Sequence, residues 1–364
     1  MVVDTAVIGA GEVSDSHLSA LVGSPRTNLV GVCDLDEARA SAAAEKYDTT
    51  PYFDMDDLIE RTDLDWIHIC TSVQTHLPLA KKAIRAEIPV LVEKPTTETV
   101  AELEELEALS ADHDIPVSPV HQHLFDPAMR DARARIRSGE IGAVRGVDLV
   151  YTGHTYPDEA NRGTWVFDLP GGEFEEGLPH PLYLVLGTGG YPRSEADICA
   201  MNSLVGDYNG KFDYDSAGIQ YTTETGALCS ATMLAGGTQK RMIHIHGEEA
   251  SLIIDMILQV VHQVEGDYKG STVGKVKQSL KYAGGQFVGL GKNARLVAKA
   301  TVSDEWTPKM QVNPHNYQID RTAYALENGH EMPVPLSEAK WTIRLMEALR
   351  EAAGTERVVV AGRE

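Results

Sequence analysis

Apolar residues in the first third of the chain fall into short unbroken runs separated by stripes of helical spacing. Thr5–Ile8, Asn28–Cys33, Trp66–Cys70, Pro89–Val92 and Pro116–Val120 each read as a strand buried on both faces. Between the last two, Val100, Leu103, Leu106 and Leu109 recur at three-residue steps and predict a helix. Strands alternating with helices predict a parallel sheet covered on both sides.

The rhythm changes near residue 125, dividing the chain into residues 1–124 and 125–364. Asp126 followed by Pro127 predicts a helix start: a capping carboxylate, then a ring where no amide donor is needed. That helix runs to about Ser138 and stops at Gly139. Longer alternating runs follow at Ala143–Thr152, Ala217–Thr223, Ala227–Met233, Arg241–His246 and Ser251–Asp255, with few helices between them. They predict a mainly antiparallel sheet. A last helix, capped by Ser337 and Gly354, lines Trp341, Leu345 and Leu349 on one face and is placed to pack back toward the first unit. The fold class is α/β in two domains.

Of 364 residues 43% are hydrophobic, enough for two substantial cores, and the formal net charge of −22 would repel nucleic acid. The apolar stretch near Ser251–Val261 is broken by Asp255 and is too short to span a bilayer. No basic leader precedes the first strand. Cys33, Cys70, Cys199 and Cys229 form no CxxC pair and read as buried thiols, so the expected compartment is the cytoplasm. One segment opposes the acidic trend. Between Asp267 and Asp304 there are seven Lys or Arg and no acid, with Val276, Leu280, Leu290 and Leu296 interspersed. It reads as subunit contact or plain surface, with a flap over an anionic substrate or a membrane-surface helix as lesser alternatives.

Candidate chemistry begins at Gly9-Ala10-Gly11-Glu12-Val13-Ser14, a glycine-rich turn between the first strand and a helix. Such a turn lets backbone approach a pyrophosphate held at the helix N-terminus, and Asp34 ends the second strand where it can bind an adenosine ribose. An acid there repels a 2′-phosphate, so NAD is expected over NADP. Thr71, Ser72 and His76 follow the Trp66–Cys70 strand at the same end of the sheet. The Pro89–Val92 strand ends in Glu93-Lys94-Pro95, where ligands of open α/β sheets bind. Further on, "PGGEFEEGLPHPLY" puts Glu176 and His180 one helical turn apart, a carboxylate and an imidazole suited to acid–base work.

Taken together, Gly9-x-Gly11-x-x-Ser14-x-x-His17, Glu93-Lys94-Pro95, and Gly171-Gly172 followed by Glu176-x-x-x-His180 resemble the Gfo/Idh/MocA oxidoreductases over nearly the whole chain. The resemblance implies a Rossmann domain followed by an α/β domain with a large open sheet, often used for oligomer contacts. It implies nicotinamide-dependent oxidation or reduction of sugars, cyclitols and related polyols. By position Lys94 resembles the catalytic lysine, His180 the catalytic histidine, and Glu176 the acid that orients it. Glu176 stands where Asp is usual, Tyr183 where a further Asp is common, Leu178 where Gly is usual and Val73 where Asn is frequent.

Trp165, Tyr183 and Pro181 either stack on a sugar ring or belong to the core. His121 and His123 alternate at a strand end and take a pocket or core role; with no third ligand beside them, no metal is expected. His244 and His246, mid-strand, are read the same way. The expected protein is an NAD-dependent dehydrogenase or reductase, a dimer or tetramer, using Lys94, His180 and Glu176. Its rivals are an NAD-dependent glycosidase acting through transient sugar oxidation and a non-catalytic NAD(P)-sensing protein.

Overall fold

The computed structural model describes residues 2–264 and 272–353. The first sheet has six parallel strands: β1 (Val3–Ile8), β2 (Thr27–Cys33), β3 (Thr50–Tyr52), β4 (Trp66–Ile69), β5 (Val90–Val92) and β6 (Val117–Pro119), in spatial order β3-β2-β1-β4-β5-β6. They alternate with α1 (Ser14–Gly23), α2 (Glu37–Tyr47), α3 (Met55–Arg61), α4 (His76–Arg85) and α5 (Val100–His113). The order reverses at β1, so the crevice between the carboxyl ends of β1 and β4 is the expected ligand site. β4 and β5 are buried throughout; β5 is wholly apolar, and β4 carries one buried polar residue, His68. β3, only Thr-Pro-Tyr, escapes sequence reading because three residues carry no period.

The second sheet has seven strands. α6 (Pro127–Arg137), β7 (Val144–Thr152), α7 (Gly172–Gly177) and α8 (Pro179–Gly189) precede β8 (Cys199–Ser203), β9 (Ser216–Thr222), β10 (Leu228–Leu234), β11 (Lys240–Gly247), β12 (Ser251–Asp255) and β13 (Val260–Val264). The order is β13-β12-β11-β7-β10-β9-β8, antiparallel except between β7 and β10. Val147, Leu149, Ile219, Ala231, Ile243, Ile245, Leu252 and Ile254 point from one face into the core with α6 and α8. Asp148, Ser230, His244 and His246 alternate onto the other face. His246 is exposed and pairs with Asp148, so neither it nor half-exposed His244 is the core or pocket residue expected. Edge strand β8 was not expected. It is short and no residue on it is fully buried; Cys199 on it is exposed, whereas Cys33, Cys70 and Cys229 are buried.

Three final helices after α9 tie the lobes together. α9 (Thr272–Val302) takes up most of the basic stretch, whose residues 268–271 lie outside the described residues. It lies along β13, with Gly289 against Val260 and Asn293 donating to the Leu258 and Gln259 carbonyls, and it leaves Leu280, Phe287 and Val288 exposed. α10 (Trp306–Val312) and α11 (Pro314–Asn328) then return to the first sheet. Ile319 and Ala323 join the core under α1, where burying Ile319 alone contributes about 2 kcal/mol. The Gln318 amide donates to the Pro119 carbonyl and accepts from the His121 amide, satisfying backbone groups where β6 ends. α12 (Ser337–Ala353) packs on α5 and α8; Glu347 accepts from the Val100 amide, and Arg350 donates to Glu98 and Glu175. Its predicted cap, Gly354, lies outside the described residues.

Candidate active site

The cleft starts at the turn after β1. Gly9 has φ +97°, and a Cβ there would lie 2.7 Å from the Cys70 carbonyl oxygen, so no other residue fits. A Cβ at Gly11 would meet nothing within 4 Å. Packing does not demand glycine at that position, and the bare backbone leaves room for a ligand to approach. The Ser14 hydroxyl donates to the Gly11 carbonyl at 2.5 Å, which closes the turn. Asp34 also builds it, accepting from the Ala10 amide at 2.7 Å and the Asp36 amide at 2.9 Å. Each carboxylate oxygen keeps a second lone pair for a ribose hydroxyl. Gly9, Gly11, Glu12, Val13, Asp34, Thr71, Ser72, Glu93 and Lys94 all line one cleft of about 660 Å³. The bare backbone at Gly11, the first-turn amides of α1 and the acid after β2 suit a dinucleotide.

His76, which could equally serve the cofactor edge or a helix N-terminus, is the first residue of α4 and does not line the cleft. It is buried, its ring nitrogens 2.9 Å from the Pro95 carbonyl and 3.1 Å from the Thr71 carbonyl. It braces the loops after β4 and β5 against each other rather than facing a cofactor. Burial lowers its pKa despite those two carbonyls.

At the other end of the cleft, Lys94 leaves the end of β5 through a cis Lys94–Pro95 peptide. Its ammonium binds the Glu176 carboxylate and lies 3.2 Å from the Glu176 carbonyl. The other Glu176 oxygen is 3.3 Å from Arg162. Glu176 therefore does not orient His180, as the four-residue spacing suggested. α7 ends at Gly177 and α8 starts at Pro179, so the two residues do not share one helix face. The prolines at 179 and 181 sit in the first turn of α8, where missing amides cost nothing. His180 is partnered instead by Tyr183, its Nδ1 2.9 Å from the hydroxyl. That hydroxyl also accepts from the His123 amide at 3.2 Å and donates to Gln122 at 3.3 Å. With its single proton directed to Gln122, it accepts from His180 Nδ1–H and leaves Nε2 with a free lone pair. Burial first, then the charge of Lys94, holds His180 well below its ordinary pKa, so the ring is neutral.

Tyr183 is thus no stacking platform; it is 1% exposed. His121 is not at the surface of the site either. It is 2% exposed, lies face to face on Tyr183 at 4.4 Å, and is pushed down to about 3 by burial. Nor do His121 and His123 alternate on a strand. β6 stops at Pro119, and residues 122–125 form a 3₁₀ turn. His123 is 4.8 Å from the His180 ring and binds Asp126 at 2.7 Å. That bond takes the Asp126 carboxylate away from the helix amides it was expected to cap. Trp165 does line the cleft, its indole donating to the Arg162 carbonyl.

Arg162, Arg39 and Glu173 were not anticipated. Arg162 and Arg39 line the cleft, and Arg162 lies in a polar loop without local period. Glu173 is buried, and burial together with the Glu176 charge pushes it up to about 7. Its only sequence signal is membership of the acid-rich run before His180.

A six-stranded parallel sheet with a glycine turn at its switch point, joined to a second, open-sheet domain, is the architecture of a two-domain dinucleotide-binding protein. The chain belongs to the Gfo/Idh/MocA family, an oxidoreductase family with an NAD-binding Rossmann fold: that family's Rossmann model matches residues 3–121 and its C-terminal domain model residues 129–253. It is 30% identical over 167 residues to dTDP-3,4-didehydro-2,6-dideoxy-alpha-D-glucose 3-reductase of Streptomyces violaceoruber, covering 46% of this chain and 48% of that one. It is 25% identical over 259 residues to inositol 2-dehydrogenase of Rhizobium meliloti, covering 69% and 75%. The matches to the first curated relatives span less than half of those proteins' length. An oxidoreductase from Agrobacterium radiobacter, solved with NAD+, L-tartaric acid and magnesium, superposes with a TM-score of 0.75 over 98% of both chains at 17% identity. No helix among the described residues is long and apolar enough to cross a membrane.

Proposed function

We propose that the protein moves hydride between NAD and a secondary alcohol or ketone carbon of a sugar, cyclitol or nucleotide-linked sugar. The observation that carries this is the meeting of Lys94, Glu176 and Arg162 from two domains in the cleft that Asp34 also lines, with His180 buried in the α8 turn just after Glu176 and held by Tyr183. NAD, when bound, supplies the hydride acceptor. The Gly9–Val13 turn and the α1 N-terminus hold its pyrophosphate, and Asp34 its ribose. Lys94 donates a hydrogen bond to the substrate oxygen and polarises it. His180 takes the hydroxyl proton on Nε2, and Tyr183 keeps the ring in the tautomer that can do so. Glu176 holds Lys94 ready. The names of the relatives, one a deoxysugar-nucleotide reductase and one an inositol dehydrogenase, support the substrate class. Arg162 suits an anionic substrate group. We place the enzyme in the cytoplasm, from its thiols, and as a homo-oligomer through the open face of the second sheet.

The test is a spectrophotometric screen of inositols, sugars, sugar acids and nucleotide sugars with NAD and NADP at several salt concentrations. Stoichiometric NADH formation that Lys94→Ala abolishes is expected. Redox-neutral cleavage of a glycoside, or tight NADH binding with no turnover on any substrate, overturns the proposal.

A further inference from the structure

Behind the catalytic lysine lies a second cluster that hydride transfer does not use. Glu93 directs its carboxylate away from Lys94's partners, toward α1 and α11. Its Oε1 is 2.9 Å from His17 Nε2 and 3.7 Å from His315 Nε2. One nitrogen or oxygen from each of His17, Glu93 and His315 falls within 4.8 Å of the other two. A tetrahedral ion with metal–ligand bonds of 2.0–2.1 Å holds its ligand atoms about 3.3 Å apart, between the two separations seen here. His315 Nε2 is buried and makes no hydrogen bond.

The surroundings suit a cation. His17 and His68 are fully buried and Glu93 is 3% exposed. Among the described residues no Lys or Arg pairs with Glu93; Lys94 and Arg162 are both engaged by Glu176. A buried carboxylate faced only by imidazoles lacks a permanent counter-charge. The outer contacts are also those of a metal centre. His17 Nε2 donates to Glu93 Oε1 at 2.9 Å, and its Nδ1 meets His68 Nδ1 at 2.8 Å, so an ion arriving between ring and carboxylate would displace the Nε2 proton, with His68 able to accept from Nδ1–H; the second Glu93 oxygen accepts from the Lys94 amide at 3.0 Å.

We propose that His17, Glu93 and His315 bind one divalent transition ion of the zinc class. Two imidazoles and a carboxylate select zinc, cobalt or nickel over calcium or magnesium, and three protein ligands leave a fourth position for solvent. The ligands come from α1, the end of β5 and α11. The ion therefore pins the returning C-terminal helix to the nucleotide-binding sheet beside Lys94, and its role is structural. The expectation of no metal rested on His121 and His123, neither of which takes part.

The test uses the full-length protein, stripped with chelator and titrated with zinc chloride and, separately, cobalt chloride. After gel filtration, wild type should retain one zinc per chain, melt at a higher temperature with zinc than without, and show a visible cobalt absorption of low symmetry. His315→Ala should bind at least tenfold more weakly and lose the cobalt band, while NAD binding stays within twofold of wild type. His246→Ala, which removes an exposed histidine–aspartate pair, should keep the full equivalent. Retention of less than one equivalent by wild type, unchanged binding in His315→Ala, or loss of the equivalent in His246→Ala overturns the proposal.

Discussion

Glu93 and Lys94 are consecutive, yet they serve opposite sides of the strand end. Lys94 turns toward Glu176 and Arg162 of the second domain, into a cleft wide enough for ligands. Glu93 turns toward His17, His68's neighbour, and His315, where buried rings close over it. Both side chains are buried and both line the cleft, so what separates them is their partners: alternation at the strand end sends the ammonium to a carboxylate and the carboxylate to imidazoles. Charge in a sequence motif says little until its partners are known.

The comparison breaks most readily at Lys94. Lys94→Ala should lower kcat/KM about 1,000-fold, or ~4 kcal/mol, with circular dichroism unchanged, because it removes the donor to the reacting oxygen. If turnover persists, the Lys94 side is not the reacting side.

Glu173 reports how dry the Lys94 side is. Its pKa is raised from 4.5 to about 7, so its protonated form stabilises the fold fully below pH 4.5, and that stability is lost as pH rises through 7. Glu173→Gln should remove this dependence and exceed wild type by about 3 kcal/mol in urea unfolding at pH 8. Equal stability of the two proteins at pH 5 and pH 8 would show a wetter cleft than the packing implies.

His121, between α11 and Tyr183, tests the dry seam between the two sides. Its pKa falls from 6.5 to about 3, so the neutral ring stabilises the fold above pH 6.5 and that contribution is lost as pH falls toward 3. At pH 5 the loss is about 2 kcal/mol, and His121→Phe should flatten the acid limb of the stability profile. A smaller effect, about tenfold in kcat, is expected from Tyr183→Phe, which deprives His180 Nδ1 of its acceptor and frees the wrong tautomer. An unchanged rate and pH profile would remove Tyr183 from the positioning role.

Much of the first domain was legible because a parallel sheet needs strands apolar on both faces, and β4 and β5 advertise themselves. The glycine turn was legible for a related reason: Gly9 is required by a contact 2.7 Å away, while Gly11 leaves open space beside the turn. The pairing of Glu176 with His180 was misread because spacing along a chain presumes one continuous helix. Pro179 restarts the helix and turns the carboxylate to Lys94. For Tyr183 and His121 the sequence left a pocket and a core role both open, because it shows a ring but not its burial; burial decides for the core. His17 and Glu93 stood in separate motifs 76 positions apart and His315 in none, so nothing in the sequence marked them as one cluster.

The sequence by itself determined the two-domain α/β architecture, the cofactor turn and the placing of Lys94 at a strand end, since each rests on local periodicity or backbone freedom. Only the tertiary structure decided which acid meets the lysine, which hydroxyl sets the histidine tautomer and which imidazoles surround Glu93. Those choices depend on distances between segments remote in the chain, fixed when α8 packs under one sheet and α11 returns to the other.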